Sequence, residues 1–155
     1  MGTGSITLKD DYRVTKPGKF LRKSKLNEVP QLLNILKGDL SFVGPRPILY
    51  QDYLLYSKEV QAEIYSVRPG LTGIGSIVFR DEEDILSSLE KGTDPFKYYK
   101  EKIAPYKGEL EQWYRNNISF VTDLKILIIT AWTVINPGNE LYLKAFKNLP
   151  KKIGQ

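Results

Sequence analysis

Apolar and polar positions follow the period of an α-helix over most of the chain. This spacing occurs in five segments, residues 28–37, 48–66, 95–117, 119–135 and 139–149. A short apolar run at 77–79 predicts a strand, and the acidic run at 81–84 predicts the start of another helix. With no internal repeat or linker, the pattern predicts a single domain over residues 1–155, mainly α with a few short strands (α+β). Its polar, basic N-terminus (1–17, extending to about 22) is predicted to be mostly irregular.

The segment at 28–37 carries its own start and stop signals. Asn27 is a good N-cap residue, and Pro30 is tolerated in a first helical turn. Gly38 suits the left-handed conformation that ends many helices. The apolar side chains between them are predicted to form a buried face: Leu32, Leu33, Ile35 and Leu36. Within the long segment 95–117, Pro105 predicts a kink or break.

The segment 119–135 carries an apolar stripe made of Leu124, Leu127, Ile128, Ala131 and Ile135. The spacing favours a stripe that faces the core, because core helices have this pattern most often. The alternative is an amphipathic, membrane-interface face, which the two Trp residues and a basic tail would suit: Trp113, Trp132, Lys144, Lys147, Lys151 and Lys152. The longest apolar run, residues 126–135, is shorter than the ~20 residues that span a bilayer.

Composition restricts the chemistry that this chain can perform. The 155 residues include no Cys and no His, which excludes thiolate nucleophiles, Ser-His catalysis and Cys or His metal sites. Carboxylates, Lys, Arg, Tyr and hydroxyls remain, with an oxygen-binding cation such as Mg²⁺, and these groups point first to phosphate chemistry. The net charge of +5 favours anionic partners, but no basic recognition helix or RNA-binding strand motif supports nucleic acid as one of them.

Two arginines stand beside prolines in glycine-containing loops, Arg46 in V-G-P-R-P and Arg68 in V-R-P-G-L-T-G. Proline stiffens each loop, and guanidinium groups bind phosphate oxygens in a bidentate manner. The alternative is a pair of ordinary turns with exposed or ion-paired arginines. One such loop would favour the turn interpretation, whereas two in one small domain leave both interpretations open.

Two carboxylates, Glu28 and Asp39, flank the same predicted helix. Either residue has the chemistry of a metal ligand, a base or a nucleophile. Taken singly, Glu28 is explained as well by the helix dipole, and Asp39 by the turn that follows the helix.

The stretch G-K-F-L-R-K-S-K-L-N-E-V-P-Q-L-L-N-I-L-K-G-D-L-S-F-V-G-P-R-P, followed by V-R-P-G-L-T-G, resembles the bacterial sugar transferases. These are small monotopic phosphoglycosyl transferases that start exopolysaccharide, capsule and glycan assembly. The later W-Y-R-N-N-I-S-F-V-T-D-L-K-I-L-I-I-T-A-W is similar to their C-terminal helix, so the resemblance extends from about Arg13 to Ile135.

The resemblance implies transfer of a sugar-1-phosphate from a UDP-sugar to a polyprenol phosphate, with release of UMP. It implies Mg²⁺ as cofactor and the cytoplasmic face of the bacterial inner membrane as location. In the family an adjacent Asp-Glu pair performs the chemistry, the Asp as nucleophile and the Glu at the metal. Glu28 matches the metal-binding Glu, and Arg46 and Arg68, together with Arg22, match phosphate contacts.

The chain departs from this family pattern in two ways. Asn27 stands where the nucleophilic Asp is expected, and an amide has no anionic oxygen with which to form an acyl-phosphate. The family's membrane-inserting helix and basic segment are missing before Gly18, which suggests a truncated member that is soluble or peripheral on its own.

Three explanations of Asn27 remain open: an engineered Asp→Asn change, a natural variant that uses Glu28, Asp39 or direct transfer, and a module that binds nucleotide sugar without turnover. The natural variant is favoured because the continuation G-I-G-S-I-V-F-R-D-E-E also differs from the usual family sequence. The alternative function is therefore a catalytically impaired nucleotide-sugar-binding or assembly module.

Overall fold

A computed structural model describes residues 15–23, 28–136 and 138–151, with the backbone alone for Lys16, Lys19, Arg22 and Lys23. The fold is mainly α with two short strands, as predicted. Its elements in chain order are α1 (Lys16–Lys23), α2 (Gln31–Lys37), β1 (Ser41–Val43), α3 (Tyr50–Tyr53), α4 (Lys58–Glu63), β2 (Gly70–Thr72), α5 (Ile74–Val78), α6 (Glu82–Ser87), α7 (Pro95–Tyr98), a π-helical turn (Tyr99–Ile103), α8 (Ala104–Asn116), α9 (Phe120–Ile135) and α10 (Leu141–Ala145).

The two strands form a small parallel sheet in which Ser41 pairs with Gly70 and Val43 with Thr72. Parallel strands need a crossover connection, and residues 44–69 supply it with α3 and α4. Helix α9 packs against both strands, and α5 packs against α8 and α9. The centre of the core is formed by side chains of α5, α8 and α9 that are fully buried: Ile74, Leu110 and Ile126.

Glycine is required where the two strands continue into their loops. A Cβ added to Gly70 would lie 2.1 Å from the backbone nitrogen of Gly44, and one added to Gly44 would lie 2.4 Å from the carbonyl oxygen of Arg68. These neighbours are backbone atoms, so no side-chain rotation relieves the overlap. The glycines therefore allow the two arginine loops to touch.

Replacing Gly70 with alanine is expected to lower the free energy of unfolding by about 3 kcal/mol or more, because the new methyl group forces the strands apart. Denaturant unfolding measures the change. Gly92→Ala is the matched control, since Gly92 has a φ of +102° but nothing within 4 Å of its added Cβ. Gly92→Ala should lower the free energy of unfolding by only about 1–2 kcal/mol, which is what an alanine in the left-handed conformation costs. Equal losses for the two variants would contradict the close-contact explanation.

The helix predicted to be kinked or broken near Pro105 is irregular there but not broken. The π-helical turn Tyr99–Ile103 ends immediately before α8, which has Pro105 in its first turn. Proline offers no N–H and its ring clashes with the carbonyl four residues earlier, so a regular α-helix cannot run through this point. The wider turn resolves the conflict and leaves α7 and α8 continuous in space.

Three predicted boundaries are wrong. Helix α2 begins at Gln31 with Pro30 as its cap residue, and not at Glu28, because proline disfavours the helical conformation at Val29. Residues 77–79 are not a strand but belong to α5 and its C-cap, where burial of Ile77 overrides β propensity. The N-terminal segment predicted to stay irregular to about residue 22 instead enters helix α1 at Lys16. Thr15, whose hydroxyl accepts a hydrogen bond from the Gly18 N–H (3.3 Å), marks the start of this helix. Gly38 ends α2 with a φ of +86°, as predicted.

The predicted buried faces of α2 and α9 are also wrong. Leu33 and Leu36 of α2 are 60% and 83% exposed, and Ile128 and Ile135 of α9 are 58% and 78% exposed. The side chains that α9 buries are instead Ile126, Ile129 and Thr133. Because α9 is apolar around most of its circumference, helical spacing alone does not indicate which side faces the core. The other predicted members of these two faces are also not buried: Leu32, Ile35, Leu124, Leu127 and Ala131.

One carboxylic acid lies inside the core. Glu111 of α8 is only 7% exposed, and its Oε2 atom has no hydrogen-bond partner among the described residues. Burial raises the pKa of Glu111 to about 8, and the nearby Lys107 ammonium offsets only part of this rise. Lys107 itself forms an ion pair with Glu82 of α6. The Glu111 side chain is therefore largely protonated at neutral pH.

None of the helices in the described ranges is both long enough and apolar enough to cross a bilayer.

Candidate active site

The two proline-flanked arginines project from loops that touch each other. The Ser41 N–H donates to the Pro69 carbonyl (2.8 Å), and the Gly70 N–H donates to the Pro45 carbonyl (2.9 Å). Pro45 is fully buried and anchors its loop, whereas the next residue, Arg46, is exposed. Arg68 is exposed on the adjoining loop. The fold thus joins the backbones of two arginine-bearing loops at one region of the surface.

The structure also brings a candidate carboxylate to this region. Oε1 of Glu28 lies 3.5 Å from a guanidinium nitrogen of Arg46, with the side chains 19% and 49% exposed. A partly exposed ion pair of this length contributes little to stability, about 0–1 kcal/mol. The ion pair matters for the site because it places a carboxylate beside the guanidinium group of the Arg46 loop.

The second candidate carboxylate lies elsewhere. Asp39 is exposed at the C-terminal end of α2, and its side chain makes no hydrogen bond or ion pair with another described residue. Glu28 precedes the N-terminal end of the same helix, so a helix about 10 Å long separates the two ends. Glu28 and Asp39 therefore do not form a catalytic carboxylate pair. Asn27 and the side chain of Arg22, the remaining predicted site groups, lie outside the described residues.

Metal ligands are few at this site. Residues 28–136 and 138–151 contain no cluster of three or more acidic side chains that would hold a metal ion by themselves. Mg²⁺, however, often uses only one or two protein carboxylates and takes its other ligands from water and substrate phosphates. Glu28 beside Arg46 fits that mode of binding, and the isolated carboxylate of Asp39 does not fit it as well.

Helix α9 is fixed to both strands by polar contacts. The buried Tyr114 hydroxyl donates to Oδ1 of Asp123 (2.9 Å) and lies 3.3 Å from the Val43 carbonyl oxygen at the end of β1. The Thr72 and Thr130 hydroxyls are 2.8 Å apart and join β2 to α9. Burial, and then the hydrogen bond to Asp123, raise the pKa of Tyr114, so this hydroxyl remains a donor.

These supporting residues were not predicted from the sequence. Their partners are distant along the chain, since Tyr114 and Val43 are 71 positions apart and Thr72 and Thr130 are 58 positions apart. The local signal at this helix, Ser119 accepting a hydrogen bond from the Thr122 N–H (3.1 Å), indicates only where α9 starts.

Comparison with known proteins agrees with the motifs at this site. The family described as bacterial sugar transferase matches residues 2–137. The chain is 44% identical over 128 residues to the uncharacterized sugar transferase EpsL of Bacillus subtilis. The aligned stretch covers 83% of this chain and 54% of the relative. The chain is 34% identical over 131 residues to a UDP-glucose:undecaprenyl-phosphate glucose-1-phosphate transferase of Caulobacter vibrioides (83% of this chain, 44% of the relative).

A third relative is an undecaprenyl-phosphate galactose phosphotransferase of Salmonella typhimurium, 35% identical over 128 residues (83% of this chain, 23% of the relative). The chain thus spans between about a quarter and about half of the length of these relatives. Since the family match includes both arginine loops, α2 and α9, this chain belongs to the bacterial sugar transferase family.

Proposed function

We propose that this protein is a phosphoglycosyl transferase that moves a sugar-1-phosphate from a UDP-sugar to a polyprenol phosphate and releases UMP. The reaction would initiate exopolysaccharide, capsule or glycan synthesis at the cytoplasmic face of the membrane. The observation that carries the proposal is the contact between the Arg46 and Arg68 loops, with Glu28 beside Arg46. Relatives whose names specify sugar-phosphate transfer to undecaprenyl phosphate support the choice of reaction.

The arginine loops suit this reaction because both reactants are anions. A UDP-sugar and a polyprenol phosphate repel each other, and transfer of a phosphoryl group requires that charge to be neutralised in a fixed geometry. Arg46 and Arg68 project from proline-stiffened, glycine-packed backbone, which restrains the points from which their side chains leave the chain. They would bind the diphosphate oxygens of the donor.

Glu28 would hold Mg²⁺ in this proposal, together with oxygens of the donor. When bound, the cation would neutralise charge on the diphosphate and polarise its P–O bonds. The Arg46 guanidinium, 3.5 Å from the Glu28 carboxylate, would orient that carboxylate and contact the same phosphate groups. Asp39 has no comparable neighbour among the described residues.

Asn27 leaves two chemical routes. In direct transfer, a phosphate oxygen of the polyprenol phosphate attacks the β-phosphorus, and the bond from phosphorus to the oxygen of UMP breaks. In the two-step route, a Glu28 carboxylate oxygen attacks the β-phosphorus, UMP leaves, and the polyprenol phosphate then displaces the carboxylate. Glu28 is the better placed of the two candidate nucleophiles, because Asp39 lies at the other end of α2.

A UMP-release assay tests the proposed function. The full-length protein, a UDP-sugar, polyprenol phosphate and Mg²⁺ are expected to yield UMP, and omission of the polyprenol phosphate should stop the steady-state release. Intact-mass analysis without the acceptor separates the routes, since a sugar-phosphate adduct on Glu28 indicates two steps and turnover without an adduct indicates direct transfer. If UMP appears only after Asn27→Asp substitution, the alternative function, a nucleotide-sugar-binding or assembly module, is favoured instead.

The exposed apolar side chains indicate how the chain would meet the membrane. On α9, Phe120, Ile128 and Ile135 are 81%, 58% and 78% exposed, and Phe42 of the adjoining strand β1 is 54% exposed. Lys144, Lys147 and Lys151, in and after α10, are also exposed, and α10 packs against α9. Apolar side chains beside lysines suit the interface of an anionic membrane, so we propose that α9 lies on the membrane surface.

The double change Phe120→Ser/Ile128→Ser is expected to weaken binding to vesicles that contain anionic lipid by at least about tenfold, because each side chain loses its apolar transfer energy. Co-sedimentation measures bound and free protein. The matched control is Phe96→Ser, which removes a 42% exposed aromatic side chain from α7. A double variant that binds vesicles as well as the control would contradict the assignment of α9.

A further inference from the structure

Three tyrosines are stacked on the segment that connects the two arginine loops. The rings of Tyr50 and Tyr53 have centroids 6.1 Å apart and an angle of 22° between their planes. The rings of Tyr53 and Tyr65 follow at 5.9 Å and 19°. The Tyr53 hydroxyl donates to the Gln61 carbonyl (2.9 Å), which fixes the middle ring. We refer to Tyr50, Tyr53 and Tyr65 as the tyrosine ladder.

The two outer side chains of the tyrosine ladder are much more exposed to solvent than the tyrosines of the core. Tyr50 is 74% exposed and Tyr65 is 45% exposed, whereas Tyr56, Tyr99 and Tyr114 are 6% exposed or less. Tyr53 lies beside Tyr50, and the 74% exposure of Tyr50 means that much of its ring surface is open to a flat ligand. An exposed ring that is already held in a stack loses little freedom when another ring binds.

The tyrosine ladder lies close to both arginines along the chain. Tyr50 follows Arg46 by four residues, and Tyr65 precedes Arg68 by three. Four residues span at most about 14 Å, so Tyr50 cannot be far from the Arg46 loop. The two ends of the connecting segment meet where the Gly70 N–H donates to the Pro45 carbonyl (2.9 Å). The chain therefore keeps the stacked rings within about 14 Å of the arginine loops, a separation that a nucleotide can bridge.

The charges around the tyrosine ladder favour a nucleotide base over a lipid surface. Helices α3 and α4 carry three carboxylates, Asp52, Glu59 and Glu63. Lys58 on α4 and Arg115 of α8, which pairs with Glu63 at 3.1 Å, offset part of this charge and leave a small negative excess. An acidic segment does not attract an anionic membrane, in contrast to the lysines of α10 and the residues after it. A neutral, flat pyrimidine base is not repelled by these charges and stacks on aromatic rings whatever its substituents.

We propose that the tyrosine ladder is the base-binding subsite of the nucleotide donor, with the pyrimidine ring stacked on the open face of Tyr50 and the diphosphate between Arg46 and Arg68. This inference rests on the proposed function for the identity of the donor. It adds the residue that recognises the nucleoside part, which neither the arginines nor Glu28 contact in this arrangement.

The test compares Tyr50 variants of the full-length protein. Tyr50→Ala is expected to weaken the affinity for UMP by about 5- to 100-fold, the range found when a single base-stacking ring is removed. It should raise the KM for the UDP-sugar to a similar extent and change kcat much less. Tyr50→Phe is expected to restore most of the lost affinity, because the stacking face is retained. The matched control Phe96→Ala removes a 42% exposed ring from α7 and should leave both constants unchanged.

Equilibrium dialysis with UMP keeps this inference separate from the proposed function. If the protein releases UMP and Tyr50→Ala leaves both KM and UMP affinity unchanged, the base-binding subsite is wrong and the transferase function stands. If the wild-type protein turns over no UDP-sugar, the function fails, and the tyrosine ladder is still judged by UMP binding. A Tyr50→Ala variant that loses vesicle binding but keeps UMP affinity would assign the ladder to the membrane and overturn the inference.

Discussion

Replacing Glu28 with glutamine is expected to slow UMP release by about 10²- to 10³-fold or more, the size of effect seen when one group that stabilises transition-state charge is removed. Glutamine keeps the size of the side chain and removes the charge that pairs with Arg46 at 3.5 Å. In direct transfer the variant loses its carboxylate ligand for Mg²⁺, and in the two-step route it loses its nucleophile. Both routes therefore predict a large fall in kcat, measured by UMP release at saturating substrate.

Two isosteric variants serve as comparisons for Glu28→Gln. Glu90→Gln neutralises an exposed carboxylate in the loop after α6 and should leave the rate unchanged. Asp39→Asn neutralises the other candidate carboxylate and should have a much smaller effect than Glu28→Gln, because Asp39 lies at the far end of α2. A larger loss in Asp39→Asn than in Glu28→Gln would show that the catalytic carboxylate has been assigned to the wrong residue.

Replacing Glu111 with glutamine is expected to stabilise the protein at pH 8 and to have little effect at acidic pH. The pKa of Glu111 is about 8 in the folded protein against an ordinary value of 4.5, so between these values the folded state holds a proton that the unfolded state has released. The free energy of unfolding of the wild type therefore falls as pH rises from 4.5 to 8, by up to about 1.4 kcal/mol per pH unit, and then levels off. Glutamine stays neutral throughout and avoids this loss.

Urea denaturation at pH 4.5 and at pH 8, the limits set by the two pKa values, measures the effect. At pH 8 the Glu111→Gln variant should exceed the wild type by roughly 4 kcal/mol, while the two should nearly coincide at the acidic end. Glu109→Gln changes an exposed carboxylate on the same helix and should follow the wild-type curve. Parallel pH profiles for Glu111→Gln and the wild type would mean that the buried carboxyl does not titrate as proposed.

Local sequence signals predicted much of the helical framework. Gly38 ends α2, and Pro105 disturbs the α-helical pattern between α7 and α8, because each residue restricts its own backbone, whatever lies around it. The extent of α9 was also predicted, from a polar start near Ser119 to the P-G pair at 137–138. Glycine, proline and capping residues act over a few positions, so one sequence is enough to locate them.

Features that depend on distant residues were not predictable in the same way. The apolar pattern of α9 does not reveal that Ile126 is buried while Ile128 is exposed, since the choice depends on β1, β2 and α5 packing against one side. Glutamate is rarely buried, so nothing in the sequence singled out Glu111. The site was anticipated in part, because the arginine loops were recognised, but the proximity of Glu28 to Arg46 joins residues 18 positions apart.

The most direct test of the proposed transferase function follows the β-phosphate of the donor. A UDP-sugar labelled with radioactive phosphorus in its β-phosphate and radiocarbon in its sugar is incubated with the full-length protein, polyprenol phosphate and Mg²⁺. Phosphoglycosyl transfer predicts that both labels enter the lipid fraction in equal amounts, with UMP as the released nucleotide. Transfer of the sugar label alone, with labelled UDP left in water, would contradict the function that we propose for Arg46, Arg68 and Glu28.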